Sequence, residues 1–280
     1  AETDDDYRLQ GLLAEADGGT AVLHIHGMAG NLYGNAFVQK MLSAYPDAGI
    51  SFLTVEQRGS ETVHLVETTR GGFDPIGNAY ERFDESRRDI RAWLDFLQDA
   101  GYDDIYLQAH SLGPSKVAHF LAEEPHDAIA GVIFISPSEM IGLVEDDSCP
   151  EHDGLLGEAR ELVADGREDE LLSGLLWDWA KLSAGTYLDL FGAESDAAVF
   201  NYSTPGRGWD AIAAIDVPML AVLGTADDGI VVGADEAMAM LEEHAENCPR
   251  FEGIVVDGAE HDYAGYEDEI IDHVLSFVED

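Results

Sequence analysis

Short apolar runs alternate along most of the chain with stretches whose apolar residues recur at helical spacing. Six of these runs are nearly continuously apolar, which is typical of strands covered on both faces of a parallel sheet. The predicted strands are 20–26, 50–56, 105–109, 129–135, 218–223 and 251–256. A weaker pattern over residues 7–16 predicts an antiparallel strand at one edge.

Helical patterns separate the predicted strands. The stretch 80–100 carries a stripe of large apolar residues, and similar patterns predict helices over 36–45, 112–123, 234–245 and 267–278. Strand–helix alternation predicts an α/β fold with a doubly wound, mostly parallel sheet and right-handed crossovers. Such sheets bind ligands at the carboxyl ends of their strands. No G-x-G-x-x-G follows a strand, so the pattern does not favour a dinucleotide site.

The alternation breaks after residue 136. Residues 137–213 contain no clear strand, but helical patterns cover 155–164, 168–183 and 186–191. We interpret 137–213 as a helical insertion into a core domain formed by 1–136 and 214–280. The stretch 168–183 has an apolar face, which either packs on the core domain or contacts substrate; its members are Leu171, Leu172, Leu175, Leu176 and Trp179.

A serine stands directly after one predicted strand and before a predicted helix. In the segment QAHSLG, small residues lie two positions before and two after Ser111, namely Ala109 and Gly113. Small residues at these places suit the sharp strand–turn–helix of a nucleophile elbow, where glycine is usual at the first place. Pro114 falls in the first helical turn, where its missing N–H has no intrahelical partner to lose. Alternatively, the serine only marks the end of a buried strand.

Three further positions follow other strand ends. The strand 20–26 ends in His26-Gly27, and the N–H of Met28 in the next loop would pair with the N–H of Leu112 to bind an oxyanion. Asp227 follows the strand 218–223 and is the candidate acid that would hold a catalytic imidazole in the right tautomer. Asp228 is a rival candidate for this role. His261 follows the last strand and is the candidate general base. Taken alone, the His-Gly pair could simply end a strand.

Together, these motifs resemble those of the α/β-hydrolase superfamily from about residue 7 to the C-terminus, with the order Ser111, Asp227, His261. The string HGMAGNLYGN is similar to a branch of small esterase-like hydrolases that includes fungal siderophore esterases. The resemblance implies an α/β-hydrolase fold, a cap between the sixth and seventh strands, and a serine mechanism that needs neither cofactor nor metal. It also implies that Arg58-Gly59 is a structural turn.

We therefore expect a carboxylic-ester hydrolase. Thioesterase, amidase, acyltransferase and perhydrolase activities remain open on the same scaffold, as does a catalytically silent binding module. Two side chains of the cap segment and its exit, Tyr187 and Trp209, are candidates for an acyl or aromatic pocket. Asn31 and Tyr33 are candidates for contacts with a substrate hydroxyl or carbonyl, with stabilisation of the loop as the alternative.

The charge balance adds a second resemblance. The chain has 57 acidic and 14 basic residues, a formal net charge of −43, spread along the whole sequence. This composition resembles that of proteins from extreme halophiles, particularly haloarchaea with a salt-rich cytoplasm, although an acidic mesophilic protein is the alternative. Such a charge repels nucleic acid and anionic membranes, which leaves a small neutral or cationic ester as the expected partner.

The remaining features favour a cytoplasmic protein without bound metal. No apolar run is long enough for a transmembrane helix, and no signal-peptide pattern is visible. Cys149 and Cys248 lack metal-ligand spacing and are expected to be free thiols. The pair His24 and His26 alternates along one strand and is a poor metal pair.

Overall fold

The computed structural model describes residues 1–145, 148–204 and 206–279. In this part of the chain the strands are β1 (Tyr7–Arg8), β2 (Gly11–Ala14), β3 (Thr20–Ile25), β4 (Ser51–Val55), β5 (His64–Thr68), β6 (Phe73–Ile76), β7 (Asp104–His110), β8 (Ile129–Ile135), β9 (Met219–Gly224) and β10 (Phe251–Val256). The helices are α1 (Ala36–Asp47), α2 (Ser86–Asp99), α3 (Gly113–Glu123), α4 (Met140–Glu145), α5 (His152–Ala164), α6 (Ala184–Phe191), α7 (Asp210–Ala213), α8 (Ala234–His244) and α9 (Glu267–Glu279).

A mixed, mostly parallel sheet forms the centre of the molecule. Its strand order is β10-β9-β8-β7-β3-β4-β2, and only β2 runs antiparallel to its neighbour. All six predicted parallel strands are present, and the predicted bounds 129–135 and 251–256 agree with β8 and β10. The doubly wound, mostly parallel sheet is therefore confirmed.

Helices cover both faces of this sheet. One apolar cluster joins the strands to α2, α3 and α8, and a second joins them to α1 and α9. The side chains of the inner strands β3, β4, β7, β8 and β9 are mostly buried, because each face lies under a helix layer, whereas the edge strands β2 and β10 are largely half-buried or exposed. This burial explains why continuous apolar runs, rather than alternating ones, marked the strands in the sequence.

The predicted edge strand 7–16 is not one strand. Residues 7–8 form β1, which pairs with β5 in a small sheet of order β1-β5-β6, whereas β2 pairs with β4 at the edge of the large sheet. Leu9 between them is buried in the core as the chain passes from one sheet to the other. The β5–β6 hairpin was not predicted, since it is short, largely exposed and interrupted by Pro75.

Two helix predictions were wrong in extent or type. The helix predicted over 80–100 begins only at Ser86. The stretch 168–183 contains no helix; it is held by β-bridges between Leu171 and Ser183 and between Leu176 and Ala180. A glycine, Gly174, interrupts it, and the Lys181 ammonium donates to the carbonyls of residues 172–174, so these groups are satisfied without a helix.

The proposed cap segment, 137–213, contains α4 to α7. A third apolar cluster packs its helices against Phe83 and Leu112 of the proposed core domain. Of the predicted apolar face, Leu172 and Leu176 are buried in this cluster, whereas Leu171, Leu175 and Trp179 are exposed. Cys149 and Cys248 are free thiols, as expected. Within the described residues, no helix has the length and apolar character needed to cross a membrane.

Candidate active site

Ser111 stands at the top of a strained turn between β7 and α3. It follows the last residue of β7 directly and has φ of 63°, in the left-handed region that non-glycine residues rarely adopt. The turn brings α3 close to β3: a Cβ at Gly113 would lie 2.5 Å from the carbonyl oxygen of Ile25. The sequence pattern of a nucleophile elbow therefore coincides with the local geometry that such an elbow requires.

The structure brings Ser111, His261 and Asp227 into one hydrogen-bonded row. Ser111 Oγ lies 2.9 Å from His261 Nε2, and His261 Nδ1 lies 2.7 Å from Asp227 Oδ1. With the imidazole proton on Nδ1, the ring donates to the carboxylate and accepts the serine hydroxyl. This is the arrangement in which a histidine can take the serine proton while the aspartate holds its tautomer.

Asp227, rather than Asp228, faces the imidazole. The side chain of Asp227 is buried, whereas Asp228 is exposed at the cavity described below. Asp227 Oδ1 also accepts the N–H of Gly229 at 2.8 Å, and its Oδ2 accepts the hydroxyl of Ser136. His261, Gly229 and Ser136 thus donate to most of the lone-pair positions of the Asp227 carboxylate, which fixes its orientation.

The pKa values of this pair move in the directions that the contacts dictate. Burial alone would raise the pKa of Asp227, but the hydrogen bond and charge of His261, with the donors Ser136 and Gly229, hold it below the usual range. Burial alone would lower the pKa of His261, but the Asp227 contact and the charges of Asp262 and Asp228 raise it above the usual range. Asp227 is therefore held in its ionised form, next to His261 as the base.

A tyrosine supports the aspartate through Ser136. The Tyr263 hydroxyl lies 3.0 Å from Ser136 Oγ and 3.1 Å from the carbonyl of Val222. Because Ser136 gives its one proton to Asp227, Tyr263 donates either to the Ser136 oxygen or to that carbonyl. Sequence reasoning missed both residues, since a serine after β8 and a tyrosine two residues after His261 carry no recognisable motif.

The loop after β3 passes directly over Ser111. A Cβ at Gly27 would lie 2.5 Å from Ser111 Cβ, so only glycine fits this approach. Met28 and Leu112 both line the cavity beside Ser111, and among the described residues neither N–H donates to another protein atom. Both N–H groups are therefore available to a ligand, as the oxyanion prediction requires.

His26 holds this loop as a neutral side chain. Its Nδ1 lies 2.8 Å from the Gly27 carbonyl, and its Nε2 lies 2.7 Å from Ser60 Oγ. Burial lowers the pKa of His26 to about 3, with a further contribution from the charge of Lys116. A neutral ring can donate from Nδ1 to the carbonyl and accept the Ser60 hydroxyl at Nε2, so both contacts are satisfied.

His110, the residue before the nucleophile, also contacts the site. Its Nε2–H donates to the backbone carbonyl of His261 at 2.9 Å, and the two rings lie 4.8 Å apart. Burial, followed by the charge of His261, lowers the pKa of His110 to about 4. His110 therefore anchors the loop that carries the base without adding charge near neutral pH.

A cavity of about 720 Å³ opens on Ser111. The larger apolar side chains that line it are Met28, Leu112, Met140, Leu143, Trp177 and Trp179. The polar ones besides Ser111 and the histidines are Asn35, Ser138, Ser148, Asp228 and Asp262. No lysine or arginine is among the described lining residues, so the cavity carries negative charge without a compensating side-chain cation.

The four predicted substrate contacts do not line this cavity. Asn31 donates to Glu61 and accepts the N–H of Tyr33, which is a loop-stabilising role, and the Tyr33 ring is 56% exposed. Tyr187 is buried with its hydroxyl 2.9 Å from His152 Nδ1. Trp209 stacks on His244 at 4.6 Å and is also buried. Residue type alone does not give a side chain's direction, so these four contacts stay predictions that the lining of this cavity does not support.

A metal would compete with the hydrogen-bonded row. Among the described residues, one group of possible ligands converges, Asp227, Asp228 and His261, whose ligand atoms lie within 4.8 Å of one another. Both ring nitrogens of His261 already face Asp227 and Ser111. These residues therefore serve the contact with Ser111, and the expectation that the protein needs no metal or cofactor stays a prediction.

Comparison with known proteins relates this site to hydrolases. The profile of a family described as serine hydrolase matches residues 78–160, a segment that includes Ser111. Among curated proteins, none matches this chain by sequence. Several solved structures have a similar fold across nearly the whole chain.

Three of these structures illustrate the likeness. Est1E from Butyrivibrio proteoclasticus, solved with ferulic acid bound, has a TM-score of 0.67 at 19% identity, covering 97% of this chain and 94% of its own. The α/β hydrolase GrgF from Penicillium sp. sh18 has a TM-score of 0.69 at 16% identity, covering 100% and 96%. The Pyrococcus furiosus esterase PF2001 has a TM-score of 0.63 at 16% identity, covering 99% and 88%. The chain thus has the α/β-hydrolase fold, and its segment around Ser111 is similar to serine hydrolases.

Proposed function

We propose that this protein is a serine hydrolase that cleaves carboxylic esters through an acyl-serine intermediate. The observation that carries the proposal is the row Ser111, His261 and Asp227, which ends at the wall of an open cavity. The fold likeness to an esterase and the family match around Ser111 support the same chemistry. A silent binding module would have no need for the strained serine turn or for the buried aspartate behind the imidazole.

Acylation begins when Ser111 Oγ attacks the ester carbon and His261 Nε2 takes the hydroxyl proton. The carbonyl oxygen becomes an oxyanion, which the N–H groups of Met28 and Leu112 would stabilise. His261 is then an imidazolium, stabilised by Asp227, and it returns the proton to the alcohol oxygen as the C–O bond breaks. The products of this half are the free alcohol and an ester on Ser111.

Deacylation repeats the sequence with water. His261 Nε2 takes a proton from a water molecule while the water oxygen attacks the acyl carbon. The same two N–H groups would stabilise the second oxyanion, and the proton passes from His261 to Ser111 Oγ as the acid leaves. Every step uses groups of this chain and water alone. Thioesters, amides and acyl transfer would follow the same steps with another leaving group or acceptor.

Hydrolysis of p-nitrophenyl butyrate in molar KCl tests the proposal. Ser111→Ala should lower kcat by about 10⁴-fold or more, because the nucleophile is lost while the N–H donors remain. Ser138→Ala is the matched control: this hydroxyl lines the same cavity 3.5 Å from Ser111 Oγ and should be dispensable. Turnover retained by folded Ser111→Ala, or lost equally in both variants, would remove the serine mechanism.

Adaptation to high salt is a separate part of the proposal. It rests on the net charge of −43 and on the exposed position of most acidic side chains.

A further inference from the structure

Several polar residues of the cavity wall lie around His261. Asn35 Nδ2 donates to Asp262 Oδ1 at 2.8 Å, and a carboxylate oxygen of Asp228 lies within 4.8 Å of an imidazole nitrogen. These side chains come from the loops after β9 and β10 and from the residue before α1. They all belong to the proposed core domain.

Four of the larger apolar lining residues belong to the proposed cap. Met140 and Leu143 on α4 line the cavity, together with the indoles of Trp177 and Trp179. Met140 is part of the apolar cluster of the cap, and Trp177 and Met28 pack against that cluster. Apart from histidine rings, the two indoles are the only aromatic groups among the described lining residues.

A tight loop holds the two indoles in place. Leu176 and Ala180 exchange both backbone hydrogen bonds, at 3.0 and 2.9 Å, which closes the loop on the residues between them. Trp177 and Asp178 have φ of 52° and 61°, a conformation that bulky residues adopt only where the surroundings enforce it. The Trp177 N–H donates to Glu151 at 2.7 Å, and its ring meets Phe191 edge-on at 5.6 Å.

The loop places both indoles in the wall of the cavity. The indole rings lie 6.3 Å apart with 31° between their planes, and Trp179 is 50% exposed although it lines the cavity. Exposed indole is a strong recognition surface for apolar and aromatic groups. A strained loop that presents two such rings near a nucleophile favours a role in binding.

The mechanism assigns the two groups of lining residues. His261 must protonate the leaving oxygen, so the alcohol part of the ester would lie near Asp228 and Asp262. The acyl part would then be left to the apolar lining residues, which include Met140 and the indoles. Resting on the proposed function, we infer that the cap forms an acyl subsite for an aromatic ring on a short linker, stacked on Trp179 and Trp177. The substrate class is esters of arylalkanoic or arylacrylic acids with polar alcohols.

Two substrates of nearly equal size separate aromatic recognition from simple apolar volume. These are ethyl 3-phenylpropionate and ethyl 3-cyclohexylpropionate, which share a leaving group and differ in the ring alone. Their hydrolysis is followed by titration of released acid in molar KCl, with ethyl acetate as the measure of basal activity. The wild type should prefer the phenyl ester about three- to tenfold in kcat/KM, the range expected for one aromatic contact.

Variants of Trp179 test whether the loop that carries the two indoles causes the preference for the phenyl ester. Trp179→Leu should bring the ratio of the two ring esters close to one, whereas Trp179→Phe should restore most of the preference. Leu175→Ala, an exposed position of the same segment that does not line the cavity, should behave as the wild type. Equal rates for the two ring esters in the wild type, or a preference that survives in Trp179→Leu, would overturn the subsite while ethyl acetate hydrolysis still upheld the esterase. If the folded wild type hydrolysed neither ring ester nor ethyl acetate, the proposed function itself would be refuted.

Discussion

Asp227 is fixed by directional donors as well as by charge. His261 and Gly229 donate to Oδ1, and Ser136 donates to Oδ2 with Tyr263 behind it. Asp228, the next residue, has an exposed carboxylate near the same imidazole. Both carboxylates carry a negative charge near the imidazole, but only Asp227 accepts a hydrogen bond from the ring and can hold its tautomer.

Replacing each aspartate in turn tests this difference. Asp227→Asn should lower kcat by about 10⁴-fold, because an amide NH₂ facing Nδ1 favours the tautomer that cannot accept the Ser111 proton. Asp228→Asn should retain most of kcat, since no hydrogen bond to the ring is lost. Steady-state kinetics on p-nitrophenyl butyrate measures both. A similar loss in the two variants would mean that charge alone, and not orientation, supports the base.

The same contacts predict a shift in the pH profile. His261 must be neutral to accept a proton, so activity falls as the pH drops through its pKa, which the Asp227 contact and the charges of Asp262 and Asp228 raise. Asp228→Asn removes one of these charges. It should lower the pKa of His261 and move the acidic limb of kcat/KM to lower pH.

A control separates local charge from net charge. Asp235→Asn removes an exposed carboxylate on α8 and should leave the acidic limb where it is. The limb is read from kcat/KM at constant ionic strength. A shift to higher pH in Asp228→Asn, or an equal shift in both variants, would contradict the proposed origin of the His261 pKa.

At the scale of elements, Arg58 after β4 joins the N-terminal segment to the start of α2. Its guanidinium is buried and contacts Asp89 at 2.8 Å, Glu85 at 2.9 Å and Asp5 at 3.1 Å. Asp89 is fully buried, and burial raises its pKa against the opposing effect of Arg58. The Arg58-Gly59 turn thus has the structural role that the sequence indicated.

Removing Arg58 should leave the buried Asp89 carboxylate without its cation. Arg58→Met is expected to lower the free energy of unfolding by about 3–5 kcal/mol, the usual cost of breaking one side of a buried ion pair. Arg8→Met, which breaks exposed pairs with Glu2 and Glu67, should change it little. Denaturant unfolding in molar KCl measures both, and equal stability of the two variants would contradict this assignment.

Secondary-structure elements could be predicted where a single pattern of burial determined the sequence of the element. The six parallel strands were found because both faces are covered, and Ser111, Asp227 and His261 were selected because each follows a strand end. The stretch 168–183 was mistaken for a helix because its leucines recur every four residues, whereas Lys181 and the β-bridges determine its path. Trp177 was not selected, and Trp179 was named only within an apolar face of open role, since the direction of these indoles depends on strained backbone that no periodicity reveals.

The whole molecule carries its negative charge at the surface. In the described part of the chain, the buried acidic side chains are Glu81, Asp89, Glu139 and Asp227, so the other acids are at least partly exposed. Only 14 basic residues face 57 acidic ones, and ion pairs cannot balance the excess. Mutual repulsion should therefore destabilise the compact state unless salt screens it.

Salt should accordingly control stability. The Debye length falls from about 30 Å at 0.01 M to about 3 Å at 1 M, so molar KCl removes most of the repulsion between separated surface carboxylates. Dialysis to dilute buffer is expected to reduce the helical circular dichroism signal and ester hydrolysis together, and returning KCl should restore both. An unchanged spectrum and unchanged activity in dilute buffer would refute adaptation to high salt.

The central claim is that Ser111 is a nucleophile activated by His261. Covalent labelling with a fluorophosphonate in molar KCl, followed by mass spectrometry of the digested protein, tests it most directly. The account predicts one adduct, on Ser111, formed rapidly in the wild type and strongly slowed in folded His261→Ala. Folded wild-type protein that gains no adduct, or an adduct on a different serine, would contradict it.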